Sequence, residues 1–380
     1  MREYTIIKIA LTIIICAFVC RTATSQSYQW ANSVGGTGWD QGWTITTDLS
    51  DNVLVAGSFY NTVDFNPDSL VTDNLTSNGV DDIFFTKYGA DGSYIWTKAI
   101  GGNGWDRCYS IVTDSFGNIY ITGNFGGNVD FDPGSGTDNL SGNGNYDIFF
   151  AKYDSSGSLI WANGAGSSGY EIGYGIAVDQ YGNVYVTGSF SNTVDFDPGS
   201  GTANLTSNGK NDIFFAKYDL NGNFIWVKNI GTSASDRGRG ITIDTQGNLL
   251  IIGEFGFQSG GTADFDPGTG VADTANLTSN GADDIFFAKY DSSGGYLWAY
   301  NIGSTAQDLG TSITTDTADN VLITGYFNSS ADFDVGAGSA LLTANSGDIF
   351  LAKYDANGNY LWANNMGGTE YDHGYSIATD

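Results

Sequence analysis

A fifteen-residue stretch, 212–226 (DIFFAKYDLNGNFIW), returns with few changes at 82–96, 147–161, 284–298 and 348–362. The tryptophans that close the copies, with Trp30 ahead of them, are separated by 66, 65, 65, 72 and 64 residues. A fixed period of this kind means one supersecondary unit stacked on itself, and it outranks length as a guide to domain organisation. The unit has four apolar runs, seen in the third repeat at 175–179 (GIAVD), 184–190 (VYVTGSF), 212–219 (DIFFAKYD) and 224–229 (FIWVKN). Each is short, rich in β-branched and aromatic residues, and bounded by Gly, Asn, Asp or Ser, which is the signature of a strand. No sustained helical periodicity occurs beyond the N-terminal segment.

Four antiparallel strands per repeat with no intervening helix describe a propeller blade. The fold class expected is all-β: a β-propeller of four-stranded antiparallel blades, with five complete repeats of about 65 residues and partial strands at both ends. The repeats run roughly over 42–100, 107–165, 173–230, 239–302 and 310–366. Blades of this class usually take ~40–45 residues. The excess lies between the second and third strands. In the third strand, Ile213 and Phe215 alternate with Phe214, Ala216 and Tyr218, so both faces need cover, as a blade between two blades provides. Residues 27–36 read as a lone fourth strand and 374–380 as the start of a first strand. The expectation is that the array continues past residue 380, because a chain ending there leaves strand edges uncapped. The alternative is that the two orphan strands meet in one incomplete closing blade.

The pattern D-x-x-G-N-x-Y-x-T-G followed by D-I-F-F-A-K-Y-D-x-x-G-x-x-x-W stands at 114–123 with 147–161, and at 179–188 with 212–226. It resembles the SBBP family of bacterial β-propeller repeats over nearly the whole chain after residue 25. The resemblance implies a propeller of extracytoplasmic bacterial proteins, and it carries no catalytic residues to transfer.

Residues 1–25 read as a secretory signal peptide and 26–380 as the repeat domain. Arg2 and Lys8 flank the start, 9–20 is apolar apart from Thr12, and Ala23-Thr24-Ser25 supplies small residues at a cleavage site. The apolar run is too short to span a bilayer, which takes ~20 residues. Localisation is therefore expected to be secreted or on the extracellular face of a bacterial envelope, with no transmembrane segment after signal removal. The formal charge is −28, and without residues 1–25 it is −30. Such a surface repels nucleic acid and anionic lipid, leaving an extracellular protein or carbohydrate as the partner class. Cys16 and Cys20 belong to the signal. Cys108 remains alone in a place held by Gly173, Gly238 and Gly310, and reads as a small buried substitute rather than a reactive thiol.

The long connection holds Asp130-Phe131-Asp132-Pro133-Gly134, repeated at 195–199 and 264–268, with weaker copies at 64–67 and 332–335. In extended backbone, residues i and i+2 share a face, so the two carboxylates point together while the Phe plugs inward. Asp130, Asp132, Asp195, Asp197, Asp264, Asp266, Asp332 and Asp334 are the candidate metal ligands. Ca²⁺ is the cofactor they imply, since it takes 6–8 oxygens. The competing reading is that these residues only shape the loop, and the EF-hand spacing is absent. Because antiparallel strands alternate direction, the 2–3 loops and the 4–1 connections are expected on one face. There they would join a second acidic set: Asp40, Asp106, Glu171, Asp236, Asp308 and Asp372. Trp39 and Trp105 precede acids of that set and suit sugar stacking, as does Trp43. The Asp before each short turn (Asp114, Asp154, Asp179, Asp219) is expected to cap it. The Asn-Leu-Thr/Ser triplets at Asn74, Asn139, Asn204 and Asn276 read as strand or turn residues.

One histidine, His373, leaves no material for a Ser-His-Asp or Cys-His arrangement or a His-based zinc site. Acids that recur in every blade argue for structure or multivalent binding. The chain reads as a non-enzymatic binding or adhesion scaffold. The rivals are a polysaccharide-acting enzyme using paired carboxylates and a purely structural spacer.

Overall fold

The computed structural model describes residues 29–68, 70–257, 260–268 and 275–379. The expected signal peptide, 1–25, lies outside them. The regular elements among the described residues are all strands. They form five four-stranded antiparallel sheets, each in the order first–second–third–fourth. In blade 3 the strands are Ile172–Val178, Val184–Phe190, Asp212–Tyr218 and Phe224–Ile230. The extra length between the second and third strands folds as a separate ribbon, Thr193–Asp195 paired with Asn204–Thr206. The ribbon recurs in all five blades, and Asn74, Asn139, Asn204 and Asn276 each open its second strand.

The first strands of successive blades stand side by side around one axis. Ile111 N donates to Thr44 Oγ1 at 3.3 Å, and Ile176 N donates to Ser110 Oγ at 3.4 Å. The segment after the fifth blade follows the same rule, with Ile377 N donating to Ser312 Oγ at 3.3 Å. At the other end, Val34 packs on the apolar cluster of blade 1. These flanking segments thus lie where a first and a fourth strand belong, without forming a ladder.

The core is a series of inter-blade layers. One cluster joins Ile83 and Phe85 of blade 1 to Ile119, Phe149 and Tyr153 of blade 2, and the same pattern joins each later pair. An aromatic contact recurs at every junction. Phe85–Tyr153, Phe150–Tyr218, Phe215–Tyr290 and Phe287–Tyr354 have ring centroids 4.8, 4.2, 4.6 and 4.6 Å apart. The two-sided cover expected for the third strand is therefore real. Asp147–Tyr153 is buried throughout, whereas Asp348–Tyr354 alternates buried with half-buried, because blade 5 has a neighbour on one side only among the described residues. Lys289 adds a polar tie: it pairs with Asp244 at 2.8 Å in its own blade and donates to Ala356 O of the next at 3.1 Å.

Turn chemistry matches the sequence reading. Asp179 Oδ1 accepts from Tyr181 N and Asn183 N, both at 2.9 Å, and Gly182 sits at φ 82°. Asp154 and Asp219 do the same for the hairpins after the third strand. Cys108 is fully buried, and burial pushes its thiol up to about 12, so it is inert at neutral pH.

Each first strand carries a bulge at its third residue, visible as a register shift between Gly42 and Thr44, Cys108 and Ser110, Gly173 and Gly175, Gly238 and Gly240, and Gly310 and Ser312. The bulge brings the carbonyl of the strand's first residue against a glycine of the second strand. A Cβ on Gly188 would meet Ile172 O and sit 2.8 Å from Phe214 Cε1. Gly188→Ala should therefore cost about 2–3 kcal/mol by urea unfolding. A loss under ~0.5 kcal/mol would mean that the two strands are not held this closely.

Candidate ligand-binding face and channel mouth

The two acidic sets do not share a face. Four acids of the 4–1 connections, Asp106, Glu171, Asp236 and Asp308, are internal clips, while Asp40 and Asp372 are half-buried and accept from Gly36 N and Gly368 N, both at 2.7 Å. Asp106 Oδ2 accepts from Gly102 N at 2.8 Å and its Oδ1 from Gly126 N at 2.9 Å, which fastens the connection to the end of the second strand. Asp236 and Asp308 repeat this with Thr232, Gly256, Ser304 and Asn328. Glu171 reaches Ser167 N and Ser191 N. All four are fully buried, and burial holds Asp106 near 7 and Asp236 and Asp308 near 6. They offer nothing to a ligand.

The Asp-Phe-Asp-Pro loops go elsewhere. Each Phe plugs inward as expected, with Phe131, Phe196, Phe265 and Phe333 at 0–1% exposure. Each Phe carbonyl accepts from a Tyr hydroxyl at the far end of the third strand: Tyr153, Tyr218, Tyr290 and Tyr354, at 2.9–3.1 Å. The ribbon therefore doubles back along the flank of its blade. In blade 5, Asp334–Gly338 lies beside the hairpin residues Gly358 and Asn359. Strand alternation correctly gives the end from which the chain leaves, but a short ribbon then reverses it. Within the loops, Asp130 Oδ1 accepts from Asp132 N at 3.1 Å and Asp138 N at 2.8 Å, and Asp132 Oδ1 accepts from Gly134 N at 2.7 Å. Asp195, Asp197, Asp332 and Asp334 make the same bonds, and Asp264 Oδ1 accepts from Asp266 N at 2.9 Å. Among the described residues, no three acidic, His or Cys side chains gather at metal-holding distance.

What varies between blades is the face where the 4–1 connections emerge, and above all the channel mouth there. The bulge residue of each first strand lines the channel. Successive blades place Trp43, Tyr109, Tyr174, Arg239 and Thr311 there, and Tyr375 follows from the segment after blade 5. The cavity they enclose is about 210 Å³. Trp43 and Tyr109 lie 5.4 Å apart, as do Tyr109 and Tyr174, and the Arg239 guanidinium is 4.8 Å from the Tyr174 ring centre. Four consecutive blades thus present one continuous π wall.

Arg239 is fixed from behind by Glu254, which is fully buried. Arg239 Nε donates to both carboxylate oxygens at 3.0 Å and Nη2 to Oε1 at 2.7 Å, while Arg237 Nη1 adds a contact at 3.2 Å. Other blades carry Ser58, Asn124, Ser189 and Tyr326 in place of Glu254. Outside the mouth lies an arc formed by the residue before each clip acid: Trp39, Trp105 and Tyr170, exposed by 82, 41 and 52%. Arg107 stacks on Trp105 at 4.7 Å and pairs with Asp81 at 2.7 Å. Trp39 and Trp105 are thus surface aromatics as the sequence suggests, and Trp43 joins the channel wall instead. The wall residues Tyr109, Tyr174 and Arg239, and the partner Glu254, do not stand out in the linear sequence. Aligning the repeats on the residue before the bulge, glycine in four blades and Cys108 in the other, finds them.

Residues 95–128 and 161–189 match the Beta-propeller repeat family, SBBP. An uncharacterized WD repeat-containing protein of Acanthamoeba polyphaga mimivirus is 26% identical over 94% of this chain and 31% of its own length. The regulatory protein FlaEY of Caulobacter vibrioides is 26% identical over 51% of this chain and 21% of its own. The chain thus spans a third or less of the length of these curated relatives. A protein of unknown function from Bacteroides caccae, with a solved structure, is 11% identical with a TM-score of 0.37, covering 83% of this chain and 93% of that one. Five sheets of one order, stacked about a common channel, make this chain a β-propeller repeat protein, two stretches of which, 95–128 and 161–189, match the SBBP repeat.

Proposed function

We propose that this protein is a secreted or cell-surface, non-enzymatic scaffold that holds an extracellular protein or carbohydrate ligand on the face where the 4–1 connections emerge. The observation that carries the reading is where the repeats differ. Clip acids, hairpin aspartates and inter-blade aromatics recur from blade to blade, whereas the channel wall passes from Trp through Tyr to Arg and Thr, and the outer arc from Trp through Tyr to Ser and Gln. Repeated parts build the frame, and the variable surface residues are free to be shaped for a partner.

The enzymatic rival needs two accessible carboxylates that break the repeat. Glu254 and Asp283 lie at this end of the molecule, and both are fully buried. Glu254 is engaged by two arginines, and Asp283 Oδ2 accepts from Gln307 Nε2 at 2.8 Å. A substrate at the mouth does not touch them.

Labelled protein should bind saturably to cells of the organism that makes it. The combined variant Trp39→Ala, Trp105→Ala, Tyr170→Ala should bind at least tenfold more weakly, and neither protein should release reducing ends from envelope polysaccharide. Absence of saturable binding, or release of reducing ends that the face variant abolishes, would overturn the proposal.

Calcium remains part of the proposal as a stabiliser of the flank loops through Asp130 and Asp132 and their repeats. Ca²⁺ at about 100 times its dissociation constant should add about 2.7 kcal/mol to unfolding. This is read as a rise in thermal midpoint that chelator reverses and Mg²⁺ does not reproduce. An unchanged midpoint would leave these residues as loop staples alone.

A further inference from the structure

We infer that the channel mouth is a subsite for one sugar ring of a neutral glycan, seated against the wall formed by Trp43, Tyr109, Tyr174 and Arg239. The inference rests on the scaffold reading and names the ligand class for its central site.

Four observations lead there. First, the wall residues are bulge residues. A bulge re-aims a side chain, and here it turns five successive side chains away from the inter-blade core and toward the channel. Trp43 is 41% exposed and the Arg239 side chain 27%, so neither is ordinary core. Second, the ring planes are inclined by 61° and 48° to their neighbours, forming a curved surface rather than a flat platform. A puckered saturated ring with C–H groups on its faces fits such a surface better than a planar base. Third, the cavity of about 210 Å³ is smaller than the ~300–1,000 Å³ that takes a drug-sized ligand, so it suits a single ring or chain end.

Fourth, the electrostatics select against anionic ligands. Arg239 uses Nε and Nη2 on Glu254, so it stands as a neutralised, rigid plate rather than an available cation. The rest of the molecule contributes a field of −30 without its first 25 residues, which disfavours phosphates and polyanions at the mouth. The Glu254 brace keeps the plate in place with no ligand present. The wall is therefore preorganised, and binding needs little ordering of side chains.

The test is titration calorimetry, with tryptophan fluorescence in parallel, on the full chain. The neutral probes are cellohexaose, laminarihexaose, maltohexaose and xylohexaose. A hexagalacturonate and a proline-rich decapeptide serve as the charged and the peptide probe. At least one neutral oligosaccharide should bind and perturb the emission. Binding should weaken at least tenfold in Trp43→Ala and in Tyr174→Thr, the latter placing at that position the residue that blade 5 carries as Thr311. Trp43→Phe should retain binding within about threefold, and Phe116→Ala, on an exposed hairpin at the opposite end, should leave it unchanged. Matching near-ultraviolet dichroism of the variants separates loss of the site from loss of the fold.

No neutral oligosaccharide binding, or binding that Trp43→Ala and Tyr174→Thr leave unchanged, would overturn the inference. Preferential binding of the galacturonate or the peptide would overturn it too. In those cases the cell-binding result still decides the scaffold reading: binding retained there with no sugar at the mouth removes this inference alone, and binding absent there removes both.

Discussion

Glu254→Ser should lower stability by about 3–5 kcal/mol, because it leaves the Arg237 and Arg239 guanidiniums without the buried carboxylate that both contact. The repeat supplies its own control. Blade 3 carries Ile172, Tyr174 and Ser189 where blade 4 carries Arg237, Arg239 and Glu254, and blade 3 packs without any ion pair at those positions. The combined variant Arg237→Ile, Arg239→Tyr, Glu254→Ser should therefore recover most of that loss, as exchange of a buried ion triad for packed side chains can. Urea unfolding of the single, of the pair Arg237→Ile, Arg239→Tyr and of the triple gives the coupling directly. A single variant that costs less than about 1 kcal/mol, or a triple that costs as much as the single, would show that the three residues do not act as a unit.

The second large effect is on pH. Burial pushes Asp82, Asp147, Asp212, Asp236, Asp284 and Asp308 up to about 6 and Asp106 to about 7, against an ordinary value of 3.8. Between about pH 4 and 7 the folded chain therefore binds more protons than the unfolded one, and stability falls as pH rises through that window. The hairpin aspartates Asp48, Asp114, Asp154, Asp219 and Asp291 work the other way, held below their ordinary value. At Asp48 burial opposes ionisation, but hydrogen bonds from Lys87, Asn52 and Ser50 overcome it and hold the carboxyl at about 2. That stability is lost only as pH falls below about 4 toward 2. The optimum is expected near pH 4–5, with a thermal midpoint at least about 5 °C higher at pH 5 than at pH 7.5. Scans at 0.15 M and 1 M NaCl separate the causes, since salt screens the general negative field and leaves the burial effect. A midpoint that is flat or rises from pH 5 to 7.5 at both ionic strengths would refute it.

The blades could be read from the sequence because each of their determinants is local. Asp-x-x-Gly turns close through their own backbone, and the alternation in 212–218 declares two covered faces. The inward plug of Phe131 also follows from i, i+2 geometry alone. The misplaced features depend on what the chain meets after it leaves a strand. The ribbon carries Asp130 and Asp132 back along the flank because Tyr153 and Phe149 give Phe131 a socket there, and both lie in a strand that comes later. Asp106 looks like a surface ligand until Gly126 and Gly102 are brought to its two oxygens. The channel wall escapes a period-two reading for a similar reason. A bulge inserts one residue out of phase, so Tyr109 and Tyr174 read as ordinary strand aromatics.

The aromatic junctions have a further consequence for how such a chain changes over time. Phe85–Tyr153, Phe150–Tyr218, Phe215–Tyr290 and Phe287–Tyr354 are the same joint made four times, each between neighbours one period apart. Stability in such an array is approximately a sum of unit and nearest-neighbour contributions. Gain or loss of one whole period by unequal recombination therefore re-forms the same joint across the seam, and no core is left to be reinvented. Copy number can drift without unfolding the molecule, while each copy keeps one residue at its bulge that is free to differ.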